Sequence, residues 1–203
     1  MKATMDAIEF KILINKVKKY VGKTNSNKIM TYIHLIVDAC SNSIRAEAVD
    51  GHRFSVAYGN LLDTDGDSFE CFLQPDIMPR ITKRDRNEIK IEMVGNKLLL
   101  SVKDQIVGYV QPDGQFFDLD KLINVEIEPT FRIGFNASLL AESLKSVLSS
   151  SRNNQARLYF YGESSLVLIR SNERDVAGVL PLRISEDTWR KDVEFSKSVK
   201  KKS

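Results

Sequence analysis

The chain is short of the residues that catalysis and covalent scaffolding most often need. Its two cysteines, Cys40 and Cys71, stand far apart with no C-x-x-C, which argues against a disulfide framework and against a thiolate zinc site. Its two histidines, His34 and His52, are too few for a histidine-rich metal centre, so no metal and no cofactor is expected. No run of about 18 apolar residues occurs, so no membrane span is predicted. The N-terminus has no apolar stretch ending in a small-residue cleavage site, and a cytoplasmic protein is the expectation. Charge of one sign is also scarce: the net value is +3, and part of that excess sits in Lys200-Lys201-Lys202. Any binding to nucleic acid must then rest on local placement of charge.

What remains is the composition of an ordinary globular protein, 42% hydrophobic and 28% charged in 203 residues, enough for one large or two small domains. Lys2 to Met5 reads as a strand. Asp6, with Glu9 three residues on, marks the start of a helix from Ala7 to Val21. Phe10, Leu13, Ile14, Val17, Tyr20 and Val21 recur at helical spacing, and Gly22 is the expected C-terminal cap. Lys11, Lys16, Lys18, Lys19 and Lys23 lie off that stripe. So do Ile8 and Ile12, which a single chain does not explain. Strands are predicted from Ile29 to Val37, up to Asp50, and on from Arg53 to Tyr58. Leu61 to Ser68 reads as a solvated loop; its three aspartates lack the Gly and Glu positions of an EF-hand.

The pattern then recurs. Phe69 to Leu73 is a strand, Pro75 to Lys83 a short helix, and Glu88 to Val94, Lys97 to Val102 and Gln105 to Gln111 are strands. After a loop it comes a third time. Phe131 to Phe135 is a strand and Asn136 caps a helix carrying Leu139, Leu140, Leu144, Val147 and Leu148. The strands Gln155 to Tyr161, Ser165 to Ile169 and Asp175 to Leu182 complete it. Three β-α-β-β-β units of roughly 60 residues each are therefore expected. They divide as a complete two-unit domain over 1–124, a half-domain over 125–184, and a basic tail over 185–203 with a short docked piece around Trp189.

The most informative stretch is Ala48-Val49-Asp50-Gly51-His52-Arg53-Phe54. An Asp-Gly pair between two alternating runs signals a hairpin, with His52 and Arg53 leaving the turn toward opposite faces. Asp50 and His52 could form an acid–base pair, but no nucleophile, metal set or phosphate loop accompanies them, and no catalytic residue is assigned.

Four segments, in order, resemble the bacterial DNA polymerase III β subunit, the β sliding clamp family. They are the turn Val49-Asp50-Gly51-His52-Arg53-Phe54, the segment Asp113-Gly114-Gln115-Phe116-Phe117-Asp118, Ile133-Gly134-Phe135-Asn136 before its helix, and the closing Leu180-Pro181-Leu182-Arg183-Ile184. The resemblance implies an α+β DNA-clamp fold of repeated β-α-β-β-β units, with helices on one face of antiparallel sheets. It implies a non-enzymatic ring around double-stranded DNA that tethers DNA polymerase and other proteins carrying clamp-binding motifs, with a clamp loader as a further partner. DNA-facing candidates are Lys11, Lys18, Lys19 and Lys23 on the first helix and Arg80, Lys83 and Arg84 on the second. Lys145 and Arg152 are weaker. The family's peptide pocket maps to Gly51, His52, Arg53 and Phe54 with Leu180, Pro181, Leu182 and Arg183. Asn124 stands where the family has a pocket proline.

Family members carry twice as many units per chain. The expectation is that two chains pair their third units about a two-fold axis and that a tetramer closes the ring, with trimer and dimer as the other arrangements. The competing reading is a clamp-derived interaction protein that binds clamp-binding peptides, or blocks replication, without encircling DNA.

Overall fold

The computed structural model describes residues 1–23, 28–82, 87–123, 131–148, 155–171 and 175–191. The chain divides into two compact units, Met1–Phe117 and Asp118–Ser203.

In the first unit, strand β1 (Lys2–Asp6) runs straight into helix α1 (Ala7–Val17). Asp6 stays extended while its carboxylate accepts the amides of Ile8 at 2.8 Å and Glu9 at 2.9 Å, meeting two donors that a helix start leaves open. The predicted stripe is the buried face: Phe10, Leu13, Ile14 and Val17 are all inside. Ile12 lies on the far side, 50% exposed. The α-helix is shorter than expected, because Lys18–Tyr20 tighten into a 3-10 turn and Val21 is extended. Gly22 is not a left-handed cap. Its amide donates to the Met30 carbonyl at 2.8 Å, and a Cβ there would come within 3.2 Å of the Met30 Cβ.

A second 3-10 turn, Lys28–Thr31, takes up the start of the strand expected from Ile29. A meander of β2 (Ile33–Asp38), β3 (Ser43–Val49) and β4 (Phe54–Asn60) follows. His52 and Arg53 lie inside the turn, not in a strand, since Val49 pairs with Phe54 and Asp50 donates its amide to the Arg53 carbonyl at 3.1 Å. The loop expected over Leu61 to Ser68 contains strand β5 (Asp63–Asp65), which pairs with β1. Backbone groups make that ladder, so an aspartate-rich composition does not prevent it.

Strand β6 (Phe69–Leu73) opens the second half, and here the expected helix over Pro75 to Lys83 is absent: residues 74–82 form a turn and then an irregular segment. Pro79 explains this. A helix would need its missing N–H for the carbonyl of residue 75 and would drive its ring into that same carbonyl. Strands β7 (Glu88–Val94), β8 (Lys97–Val102) and β9 (Gln105–Val110) complete the half as predicted.

The two halves exchange their first strands. The four-stranded sheet runs β4-β3-β2-β6 and the five-stranded one β5-β1-β7-β8-β9. Each meander thus takes, on its opening strand, the first strand of the other half: β1 lies antiparallel on β7 and β6 on β2. One core results, joining Met5, Phe10 and Ile14 to Leu35 and Ile44 of one sheet and Ile89, Ile91 and Leu100 of the other.

The second unit holds a short helix α2 (Asp120–Ile123), helix α3 (Ala137–Leu148) and the meander β10 (Arg157–Tyr159), β11 (Val167–Arg170) and β12 (Val176–Val179). Asn136 caps α3 as expected, accepting the amides of Ser138 at 3.0 Å and Leu139 at 3.2 Å. The strand predicted from Phe131 to Phe135 is reduced to a single bridge, Gly134 to Leu182. Only Val147 of the predicted α3 stripe is fully buried, and Leu139 is 54% exposed. Residues 186–191, around Trp189, are helical.

Candidate functional site

The lysines of α1 and of the segment just after it divide into two groups. Lys11 Nζ donates to the Ile81 carbonyl at 2.6 Å and is half-buried. Lys18 Nζ donates to the Pro75 carbonyl at 3.1 Å and pairs with the Asp76 carboxylate at 3.0 Å. Both therefore serve the segment that stands in place of the second helix. Lys19 and Lys23 are exposed. Arg80 is exposed too, on a segment whose amide bonds the Gln105 side chain at 2.9 Å, while Lys83, Arg84, Asn124 and Arg152 fall outside the described residues.

The turn is built by Asp50. One carboxylate oxygen accepts the amides of His52 and Arg53, each at 3.1 Å, and the other takes Arg53 Nε at 2.9 Å. The Arg53 hydrogen bond, followed by the His52 amide, holds the Asp50 carboxyl below the usual aspartate range, and the same pairing raises Arg53. Gly51 has φ +87°, a conformation that favours glycine. Arg53 also reaches back to α1: Nη2 donates to the Lys19 carbonyl at 2.9 Å, and the guanidinium lies 4.9 Å from the Tyr20 ring centre. The turn is thereby tied to the end of the helix. His52 and Phe54 point to solvent.

In the second unit, Leu180, Leu182 and Arg183 are exposed and Pro181 is half-buried. Leu182 is held by its amide, which donates to the Gly134 carbonyl at 2.8 Å. Leu180 is 66% exposed, much for a leucine next to a sheet.

Sequence reasoning missed a buried polar cluster on the face of the four-stranded sheet turned away from α1. His34 Nδ1 lies 3.2 Å from Glu47 and Nε2 lies 3.1 Å from Glu70, while Arg45 is paired with Glu47. The His34 ring is stacked on Phe72 at 5.3 Å and covered by Phe116 at 4.8 Å. Among the described residues no nucleophile joins it, and its contacts link β2, β3 and β6. The signal was present as polar residues alternating with the core positions of β2, β3 and β6, but only the strand order brings them together.

No sequence-family model matches the chain, and no curated protein matches it. Solved structures do. The DNA polymerase sliding clamp from Bacillus subtilis is 15% identical with a TM-score of 0.73, covering 91% of this chain and 50% of that one. The DNA polymerase III β subunit from Thermotoga maritima is 18% identical with a TM-score of 0.70, covering 92% and 51%. The Helicobacter pylori β clamp bound to a DNA ligase peptide is 17% identical with a TM-score of 0.68, covering 91% and 52%. The chain spans about half the length of these clamps. With strands exchanged between halves and a helix laid on antiparallel sheet, it has an α+β DNA-clamp fold, that of the DNA polymerase III β subunit over about half of that subunit's length.

Proposed function

We propose that this chain is a small sliding clamp: a cytoplasmic, non-enzymatic protein whose copies close into a ring around double-stranded DNA. The ring tethers a DNA polymerase or other replication and repair proteins. The observation that carries this reading is the clamp fold itself, with each half of the first unit completed by the other's first strand. A closed ring needs no base contacts; it holds DNA topologically and touches phosphates through cations such as Lys19 and Lys23. Partner peptides would be engaged on the first unit by Gly51, His52, Arg53 and Phe54, and separately on the second unit by Leu180, Pro181, Leu182 and Arg183. Phe54, Leu180 and Leu182 supply exposed apolar surface of the kind that anchors short peptides. Three units per chain suit a tetramer, and a loader would open it.

The test is retention of the protein on closed circular DNA against the same DNA linearised. A ring stays on the circle and runs off the open ends; equal loss from both would end the proposal. One observation favours the second reading, an interaction protein that binds clamp-binding peptides without encircling DNA. Lys11 of α1 and Lys18 of the 3-10 turn after it are engaged by the chain's own backbone, which leaves less charge for a duplex. In that case peptide binding persists and circular DNA gives no advantage.

A further inference from the structure

Among the described residues, the second unit repeats the first half of the first unit in detail and shows no counterpart of that unit's second half. Asp6 and Asn136 occupy the same cap position, so Ala3 and Met5 correspond to Ile133 and Phe135. The segment after each meander returns to the first strand in the same way: the Leu62 amide donates to the Thr4 carbonyl at 2.7 Å and the Leu182 amide to the Gly134 carbonyl at 2.8 Å. One edge of each first strand is therefore covered from within its own unit. In the first unit the other edge lies on the opening strand of the partner half, as β1 on β7 and β6 on β2. Among the described residues, no strand occupies that place on β10, whose only ladder is to β11. Of the corresponding strands, β2 buries Ile33, His34, Leu35 and Val37 and β7 buries Ile89 and Ile91, whereas all three residues of β10 are exposed, Leu158 and Tyr159 among them.

We infer that a second copy of this chain covers that edge, the two copies exchanging residues 131–135 onto each other's β10 about a two-fold axis. The first unit supplies the register. Ile91, which faces Leu100 of the next strand, receives Ala3, and Ile89 receives Met5. Leu158 faces Ile169 in the same manner, so it receives Ile133 of the other copy, and Ala156 receives Phe135. Phe131 rests against Phe160 of its own chain at 5.8 Å, a contact the exchange remakes between copies at the place where Met93 donates its amide to the Met1 carbonyl at 2.9 Å. Pairing of this kind buries α3 as α1 is buried, and one isologous contact is self-complementary. The inference gives the ring reading its joint between chains, but is measured without DNA.

The experiment uses the full chain with Cys40→Ser, carrying Ile133→Cys or Leu158→Cys. When the two variants are co-expressed and oxidised, the expected product is a disulfide-linked pair of chains, absent from either variant alone. Folded variants that give no linked pair overturn the inference. Should a variant fail to fold, light scattering on the unaltered protein decides: an even multiple of the chain mass supports the exchange and a monomer overturns it. A linked pair without retention on circular DNA would remove the clamp reading and leave the exchange standing. Retention without a linked pair would do the reverse.

Discussion

The ammonium group of Lys18 donates to the carbonyl of Pro75, the acceptor that a helix would have matched to the absent N–H of Pro79. Lys11, in α1 itself, does the same for the Ile81 carbonyl at 2.6 Å. A proline that removes a helix from the second half is thus answered by two lysines of the first. The two bonds differ in worth. Lys11 is half-buried and its bond short, so Lys11→Met should cost about 1–2 kcal/mol in urea unfolding. Lys18 has 44% of its side chain exposed, and Lys18→Met should cost about 0.5 kcal/mol or less. A larger loss at Lys18 than at Lys11 would show that the lysines do not support this segment.

Gln111 closes the open edge of β6 with a side chain in place of a strand. Its Oε1 accepts the Phe72 amide at 2.6 Å and its Nε2 donates to the Phe72 carbonyl at 3.1 Å, the pairing a neighbouring strand would have made. The amide is buried, so nothing else replaces it on truncation. Gln111→Ala should destabilise the protein by about 1–3 kcal/mol, because both backbone groups lose their partner. Gln111→Glu keeps the acceptor's shape but sets an anion against the Phe72 carbonyl, and should be at least as harmful. If chemical denaturation finds Gln111→Ala neutral, water satisfies that edge instead.

Local patterning made most of this fold legible. Asp6 and Asn136 read correctly as caps because a side-chain acceptor at a helix start is a local requirement. The stripe Phe10, Leu13, Ile14, Val17 read correctly because one helix face packs on a complete domain. The Leu139 stripe in α3 did not bury as expected: within the described residues only Val147 of it lies fully inside. The helix over Pro75 to Lys83 failed on Pro79, which stands too far into the segment to be tolerated. β5 and the His34–Glu47–Glu70 cluster were illegible for a shared reason: both depend on which strands become neighbours. Of the candidate site residues, exposure of Lys19, Phe54, Leu180 and Leu182 fits a surface role. The use of Arg53 as a tie to Lys19 and Tyr20 could be seen only in three dimensions.

Asp50 predicts a pH response at the turn. Its carboxyl is held low by Arg53 and by the His52 amide, so its contribution is present above the usual aspartate range and is lost as pH falls through the lowered native value. The Gly51 amide resonance, followed by NMR, should therefore stay in its neutral-pH position until the solution is more acidic than ordinary aspartates require. Arg53→Ala removes the leading cause, and the midpoint should move up toward the ordinary range. A midpoint that ignores Arg53→Ala would show that the ion pair does not organise the turn.

The two thiols should separate by reactivity. Burial pushes the Cys71 thiol up to about 12, with the nearby Glu70 charge adding to the effect, whereas Cys40 is exposed. At pH 8 only about one Cys71 in 10⁴ is a thiolate, and reagent cannot reach it without local opening. A native chain should accordingly take up one equivalent of a thiol reagent rapidly, and a second only on unfolding. Equal labelling of both cysteines under native conditions would mean that β6 opens far more often than a core strand should.

Charge reversal offers the sharpest reading of the α1 surface. Lys18 is already matched to Asp76, so Lys18→Glu exchanges an internal ion pair for a repulsion and acts first on the 74–82 segment. Lys19, in the 3-10 turn after α1, and Lys23, beyond Gly22, are exposed. If they meet phosphate, Lys19→Glu and Lys23→Glu should each weaken DNA retention and lower the slope of log affinity against log salt by about one. Lys18→Glu should leave that slope nearly unchanged while lowering thermal stability. The comparison is informative because a ring that loses cations still encloses DNA: retention on circular DNA falls modestly, while the salt slope changes outright. A slope equally insensitive to Lys19→Glu and Lys18→Glu would place the duplex elsewhere and remove α1 from the DNA-facing surface.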